Sequence, residues 1–164
     1  MKYLKYFLIG GIVLITSSYT TRTSGLSEGI YPGNLMPELT LKDEAGKSIN
    51  LEHLKGAKVL VNFWASYDAE SHMRNVLLWN TLQEKNYPVV MLSVSFDRSK
   101  TVFEKTIDMD GIDSKYQYYE SKGNDSEVYK KYELGKGFKN YLINEEGQIV
   151  AMDFVPDELE KLLN

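Results

Sequence analysis

Four residues with polar, reactive side chains stand within one short stretch: Asp68, Glu70, Ser71 and His72. A carboxylate, a hydroxyl and an imidazole are the parts of a nucleophile with its base. Carboxylates with an imidazole are also the parts of a metal site. Spacing decides between them. Asp68 and His72, at i and i+4, share a helix face only if Asp68 is itself helical, whereas Glu70 projects elsewhere. Asp68-Ala69-Glu70-Ser71 instead has the form of a helix start, where a carboxylate accepts the N–H of Glu70 or Ser71 and sits favourably in the helix dipole. The expectation is therefore a capped helix N-terminus with no metal and no cofactor. An unrelated enzyme chemistry using Asp68, Ser71 and His72 is the alternative. Trp64 and Tyr67 flank this start and have two readings, core packing or a contact surface. The tyrosines at 116, 118, 119, 129 and 132 have the same two. His53 stands beside a turn and reads as a surface residue.

The elements that must position these residues are legible in the apolar pattern. Val59 to Trp64 is nearly continuous in apolar residues, as in a strand buried on both faces of a partly parallel sheet. A helix follows over 69–85, with Met73, Val76, Leu77 and Leu78 on its buried side. Pro88 opens a second buried strand over 89–94. Ser99 caps a helix to Met109, stopped by Gly111. Residues 115–119 read as a short strand, and 125–132 as a helix capped by Asp125 or Ser126. A hairpin over 139–143 and 148–153 turns at Gly147, and a helix over 157–163 closes the chain. Earlier, 39–41 and 48–51 flank a turn at 43–46. The pattern predicts an α/β fold, a central mixed sheet flanked by helices with an N-terminal hairpin.

The segment Val61-Asn62-Phe63-Trp64-Ala65-Ser66-Tyr67-Asp68-Ala69-Glu70-Ser71-His72 resembles the active-site region of thioredoxin-like proteins. The similar groups are the TlpA-like and ResA-like thiol-disulfide oxidoreductases and their AhpC/TSA relatives. There a buried strand ends in Trp-Ala-Ser-Trp, and Cys-Pro-Pro-Cys opens a helix. Here Asp68 and Ser71 fall on the two cysteines. Pro37-Glu38-Leu39, Ser93-Val94-Ser95-Phe96-Asp97 and Tyr141-Leu142-Ile143-Asn144 continue the likeness over roughly residues 33–164. The family places a cis-proline before the closing strand, beside its dithiol. Phe138 falls there, with Gly137 before it, and a trans Gly137–Phe138 bond is expected because a non-proline cis bond costs ~2.5–4 kcal/mol. The resemblance implies a thioredoxin-like fold whose dithiol and docking loop have both changed. The expected binding residues are Trp64, Tyr67, Asp68, Glu70, His72, Gly137 and Phe138, and no residue is expected to be catalytic.

Composition sets the remaining bounds. The 164 residues include no cysteine, which removes disulfides, thiolate nucleophiles and cysteine-based metal sites. The formal charge is −4, or −6 once Lys2 and Lys5 are set aside, with no basic block, so nucleic acid is not an expected partner. Lys2 and Lys5 precede an apolar run from Phe7 to Ile15 and then Thr16, Ser17 and Ser18. That is the order of a secretory signal, with retention as a membrane anchor the alternative. The expected organisation is a signal or anchor over 1–20, a flexible tether over 21–33 and one thioredoxin-like domain over 34–164. The expected setting is the periplasm or the outer side of the membrane, with an envelope protein or peptide as partner.

Overall fold

The apolar run at 59–64 forms the axis of the molecule. The computed structural model describes residues 25–42, 46 and 48–163. In it, strand β3 (Lys58–Trp64) is buried from Val59 onward. The hairpin of β1 (Thr40–Lys42) and β2 (Ser48–Asn50) precedes it. Helix α1 (Ala69–Lys85) follows, then β4 (Val89–Ser95), α2 (Lys100–Met109), β5 (Gln117–Tyr119) and α3 (Glu127–Lys131). Strands β6 (Asn140–Ile143) and β7 (Ile149–Met152) and helix α4 (Leu159–Leu163) complete the chain. β3 runs parallel to β4 and antiparallel to β6, in a five-stranded sheet of order β5-β4-β3-β6-β7. A central strand between parallel and antiparallel neighbours explains the unbroken apolar run, since both of its faces are covered.

Alternation along β3 sends Val59, Val61 and Phe63 to one face and Leu60 and Trp64 to the other. The first set joins Leu39, Leu41, Leu92, Val94, Tyr141 and Ile143, with Val128 and Tyr129 of α3 against them. The second packs on Leu78, Trp79 and Leu82 of α1, Phe103 and Ile107 of α2, and Leu159 of α4. Between the helices and the sheet lies a polar seam. Asn75 Oδ1 accepts from Asn62 Nδ2 at 3.1 Å and from Ser93 Oγ at 2.5 Å, all three side chains being buried.

Local signals place the helix ends. Asp68 is extended and its carboxylate accepts the Ser71 N–H, so α1 begins at Ala69; Asn86 in the left-handed region ends it. Ser99 accepts the Val102 N–H ahead of α2, and Gly111, at φ +66°, takes the chain away from it. Of the two candidate caps for α3, Ser126 is used, accepting from the Tyr129 N–H.

Three expectations change. The buried stripe of α1 is Ser71, Asn75, Leu78, Trp79 and Leu82, whereas Met73 and Leu77 are 64% and 45% exposed. Steps of three and four counted from Ser71 pass both by. The strand expected at 115–119 is shortened, because the Asp113 side chain accepts the Lys115 N–H and draws Ser114–Tyr116 into a 3₁₀ turn. The described part of the tether expected over 21–33 is largely exposed but anchored to the domain. Gly33 donates to Ile149, Ile149 donates to Asn34, and Ile30 is buried, so the end of this segment pairs with the edge of β7 at Ile149. The predicted signal or anchor over 1–20 lies outside the described residues.

Candidate functional site

The site lies where β3 ends and α1 begins. Asp68 Oδ1 accepts the Ser71 N–H at 2.9 Å, and the Asp68 carbonyl accepts the His72 N–H at 3.0 Å in the first helical bond. The carboxylate thus occupies the positive end of α1 and satisfies a backbone donor that the helix itself leaves open. Ser71 is buried, its hydroxyl donating to the Asp68 carbonyl and accepting from the Ala65 N–H, both at 3.3 Å. It therefore serves as a lock between loop and helix.

His72 turns away. Its Nε2 lies 2.7 Å from Asp110 Oδ2 at the end of α2, and its ring stacks on Trp64 with centroids 5.5 Å apart. The side chains of Asp68, Ser71 and His72 are not assembled into one polar group, because each is engaged by a different partner. Trp64 is fully buried between these helices and the sheet, so of its two readings the structure takes core packing, and it offers no surface as an expected binding residue: it shares the helix-covered face of β3 with Leu60.

Tyr67 and Phe138, 71 positions apart in the sequence, are brought together with ring centroids 6.4 Å apart. Phe138 stacks further on Phe96, centroid to centroid 5.8 Å. Tyr67 remains 55% exposed, with the Arg98 guanidinium carbon 5.8 Å from its ring centre. Partial burial, with Tyr129 and Asp97 nearby, holds its phenol above the usual tyrosine range. The Gly137–Phe138 bond is trans, and Gly137, at φ +124°, adopts a backbone conformation that a side chain would strain.

Asp68, Glu70, Ser71, Gly137 and Phe138 line one open groove of about 530 Å³ between α1 and the loop leading into β6. Glu70 stands on its outer rim, largely solvent-exposed. Residues that the sequence did not place in the site complete the walls. Met73, Leu77 and Val155 present exposed apolar surface, and Arg74 reaches across to donate to the Phe138 carbonyl at 2.6 Å. A further residue not foreseen at the site, Asp97, organises the loop ahead of the groove. Its buried carboxylate accepts from the Ser66 N–H at 2.8 Å, the Ser66 hydroxyl at 2.6 Å and the Ser95 hydroxyl at 2.8 Å. Its sequence signals were a charge closing the buried run Ser93–Phe96 and its place in the family-like segment, neither of which named its partners; Arg74 carried none.

A β-α-β unit with its site at the carboxyl end of the central strand, closed by an antiparallel hairpin and a final helix, defines a thioredoxin-like protein. The chain belongs to the AhpC/TSA family, whose family model matches residues 32–152. It is similar to a thioredoxin-like protein from Parabacteroides distasonis, at 40% identity and TM-score 0.72, covering 84% of this chain and 98% of that one. The thioredoxin domain of a thiol-disulfide oxidoreductase from Bacteroides vulgatus is 27% identical with TM-score 0.70, covering 83% of this chain and 100% of that domain. The thiol-disulfide oxidoreductase ResA of Bacillus subtilis is 26% identical over 154 residues, 90% of this chain and 84% of ResA. The present chain shares their architecture and has no cysteine.

Proposed function

We propose that this chain is an exported, non-redox thioredoxin-fold module that holds an extended segment of a protein partner in the groove between α1 and the 136–139 loop. Thiol-disulfide exchange requires thiolates on both attacking and resolving groups, and a carboxylate at position 68 with a hydroxyl at 71 supplies neither. The observation that carries the binding role is the groove itself. Met73, Leu77 and Val155 expose apolar surface along it, and the exposed Tyr67 packs against its lining residue Phe138, beside positions 68 and 71, on which the resemblance places the family's two cysteines. The setting in the cell envelope rests on the Lys2, Lys5 and 7–15 pattern.

Two measurements test this. The full chain should show no insulin reduction above background with dithiothreitol; turnover would end the non-redox reading. A photo-crosslinking residue at Met73 should capture one stoichiometric envelope protein, and Tyr67→Ala with Phe138→Ala should abolish the capture. Crosslinking that survives the double variant would remove the groove from the proposal.

A further inference from the structure

We propose that a second cavity, at the pole opposite Asp68, is a ligand site selective for a small apolar molecule carrying one ammonium group. This cavity, about 220 Å³, lies beneath the N-terminal segment, the 3₁₀ turn Leu51–Leu54 and the turn joining β6 to β7. Its distance from the groove follows from β3. Val59 lines the cavity at one end and Trp64 leads to Asp68 at the other, about 16–17 Å of strand apart. The cavity is therefore independent of the groove and of the reading given to it.

The interior is apolar. Met36, Val59 and Ile143 are core residues that reach its wall, and the half-buried Leu51 and Leu54 flank it. The rim is acidic, with Glu28, Glu38, Glu52 and Glu146 all exposed around the opening. Among the described residues the one lining cation, Lys55, is already engaged by Glu52 Oε2 at 2.7 Å. Four carboxylates against one ammonium leave three negative charges in excess. Glu38 is held in place, its Oε1 accepting from Asn50 Nδ2 at 3.0 Å and Thr40 Oγ1 at 3.3 Å. Lys131 approaches from outside the cavity but donates to the Glu38 main-chain carbonyl, not to the carboxylate.

Charge of one sign around a low-dielectric wall concentrates the field at the opening. A cation is drawn in, an anion is repelled, and the apolar wall rewards a hydrocarbon body on the same molecule. Size limits that body. The volume falls below the ~300–1,000 Å³ of sites for drug-sized ligands, so the occupant is on the scale of a single aromatic or branched side chain.

Titration of the full chain, followed by amide chemical shifts, tests the proposal with 2-phenylethylamine, 2-phenylethanol and phenylacetate as probes. The amine should give saturable shifts at Leu54, Ala57 and Gly147, with affinity about tenfold or more above the alcohol. Phenylacetate should give none. Glu38→Gln with Glu146→Gln should weaken the amine about fivefold and leave the alcohol unchanged, and raising the salt should act in the same direction. Both substitutions are at exposed positions, and an unchanged melting temperature verifies the fold. Equal affinity for amine and alcohol, shifts confined to the groove at Met73 and Leu77, or an amine affinity indifferent to the double substitution would each overturn it.

Discussion

Arg74 Nη2 donates to the main-chain carbonyl of Phe138 at 2.6 Å, so α1 is tied directly to the loop before β6. The Arg74 side chain is mostly buried, and its carboxylate neighbour Glu70, at 3.8 Å, lies on the solvent side. A charge-assisted bond to a carbonyl in such a place contributes about 1.5–3 kcal/mol. Arg74→Met should lower the unfolding free energy in urea by about that amount. It should also speed amide exchange at residues 137–139. Arg74→Lys should recover only part of the loss, because a single ammonium lacks the planar fork. An unchanged urea midpoint for Arg74→Met would refute the tie.

Asp68 stabilises α1 as a cap, through one oxygen on the Ser71 N–H. Asp68→Ala should cost about 1 kcal/mol, whereas Asp68→Asn should retain most of the stability because the amide oxygen accepts the same bond. Chemical denaturation of the two variants separates cap from charge. Equal losses for Asn and Ala would show that the dipole interaction dominates instead.

The same geometry predicts what a restored dithiol would do. Position 68 faces the open N–H groups of α1, and position 71 lies one turn along, with its backbone held by the cap. In the Asp68→Cys, Ser71→Cys variant, the thiol at 68 should titrate clearly below the ordinary value of about 8.5, because the helix terminus favours the thiolate. Thiolate absorbance at 240 nm against pH reads this directly. A thiol near 8.5 would mean that the helix start does not activate the position.

How much of this was legible follows from the range of each interaction. The bounds of β3 and α1 were written locally, in a continuous apolar run and in Asp68 at a helix start. The family likeness rests on the same segment. The burial of Trp64 was also within reach, since the two-residue period places it with Leu60 on the face that α1 covers. The groove was not. Its closing contact joins Arg74 to Phe138 over 64 positions, and His72 is drawn away by Asp110 over 38. No periodicity encodes such partners. Met73 and Leu77 misled for a related reason: in α1 the buried stripe includes the polar Ser71 and Asn75, so hydrophobicity alone pointed to the wrong rotation of the helix.

Asp97 is the residue on which the 65–68 loop depends. Its buried carboxylate collects three donors, two from the half-buried Ser66 and one from the buried Ser95. Asp97→Ala removes the acceptor of all three, and each buried donor left without a partner costs about 1–3 kcal/mol. The variant should lose about 3 kcal/mol or more in denaturant unfolding. Asp97→Asn should fall between, because one of its two positions becomes a donor facing a donor. A loss below about 1 kcal/mol for Asp97→Ala would mean that water replaces the carboxylate.

Tyrosines set the alkaline limit of the fold. Tyr132 and Tyr141 are fully buried; the Tyr132 hydroxyl donates to the Pro37 carbonyl at 2.6 Å, and the Tyr141 hydroxyl has no partner among the described residues. Burial holds both phenols above the ordinary value of about 10, and Tyr67 is raised in the same direction while remaining half open to solvent. The folded state therefore keeps protons that the unfolded chain releases as the pH climbs past 10. Their contribution to stability is complete below that pH and is lost above it. Absorbance at 295 nm should show Tyr67 ionising within the folded protein, while the buried Tyr132 and Tyr141 ionise only as the chain unfolds. Tyr132→Phe should remove one of those two and flatten the fall in stability above pH 10. At neutral pH it should cost about 1 kcal/mol for the lost bond to Pro37. Complete, reversible ionisation of all tyrosines near pH 10 with the fold intact would contradict this burial.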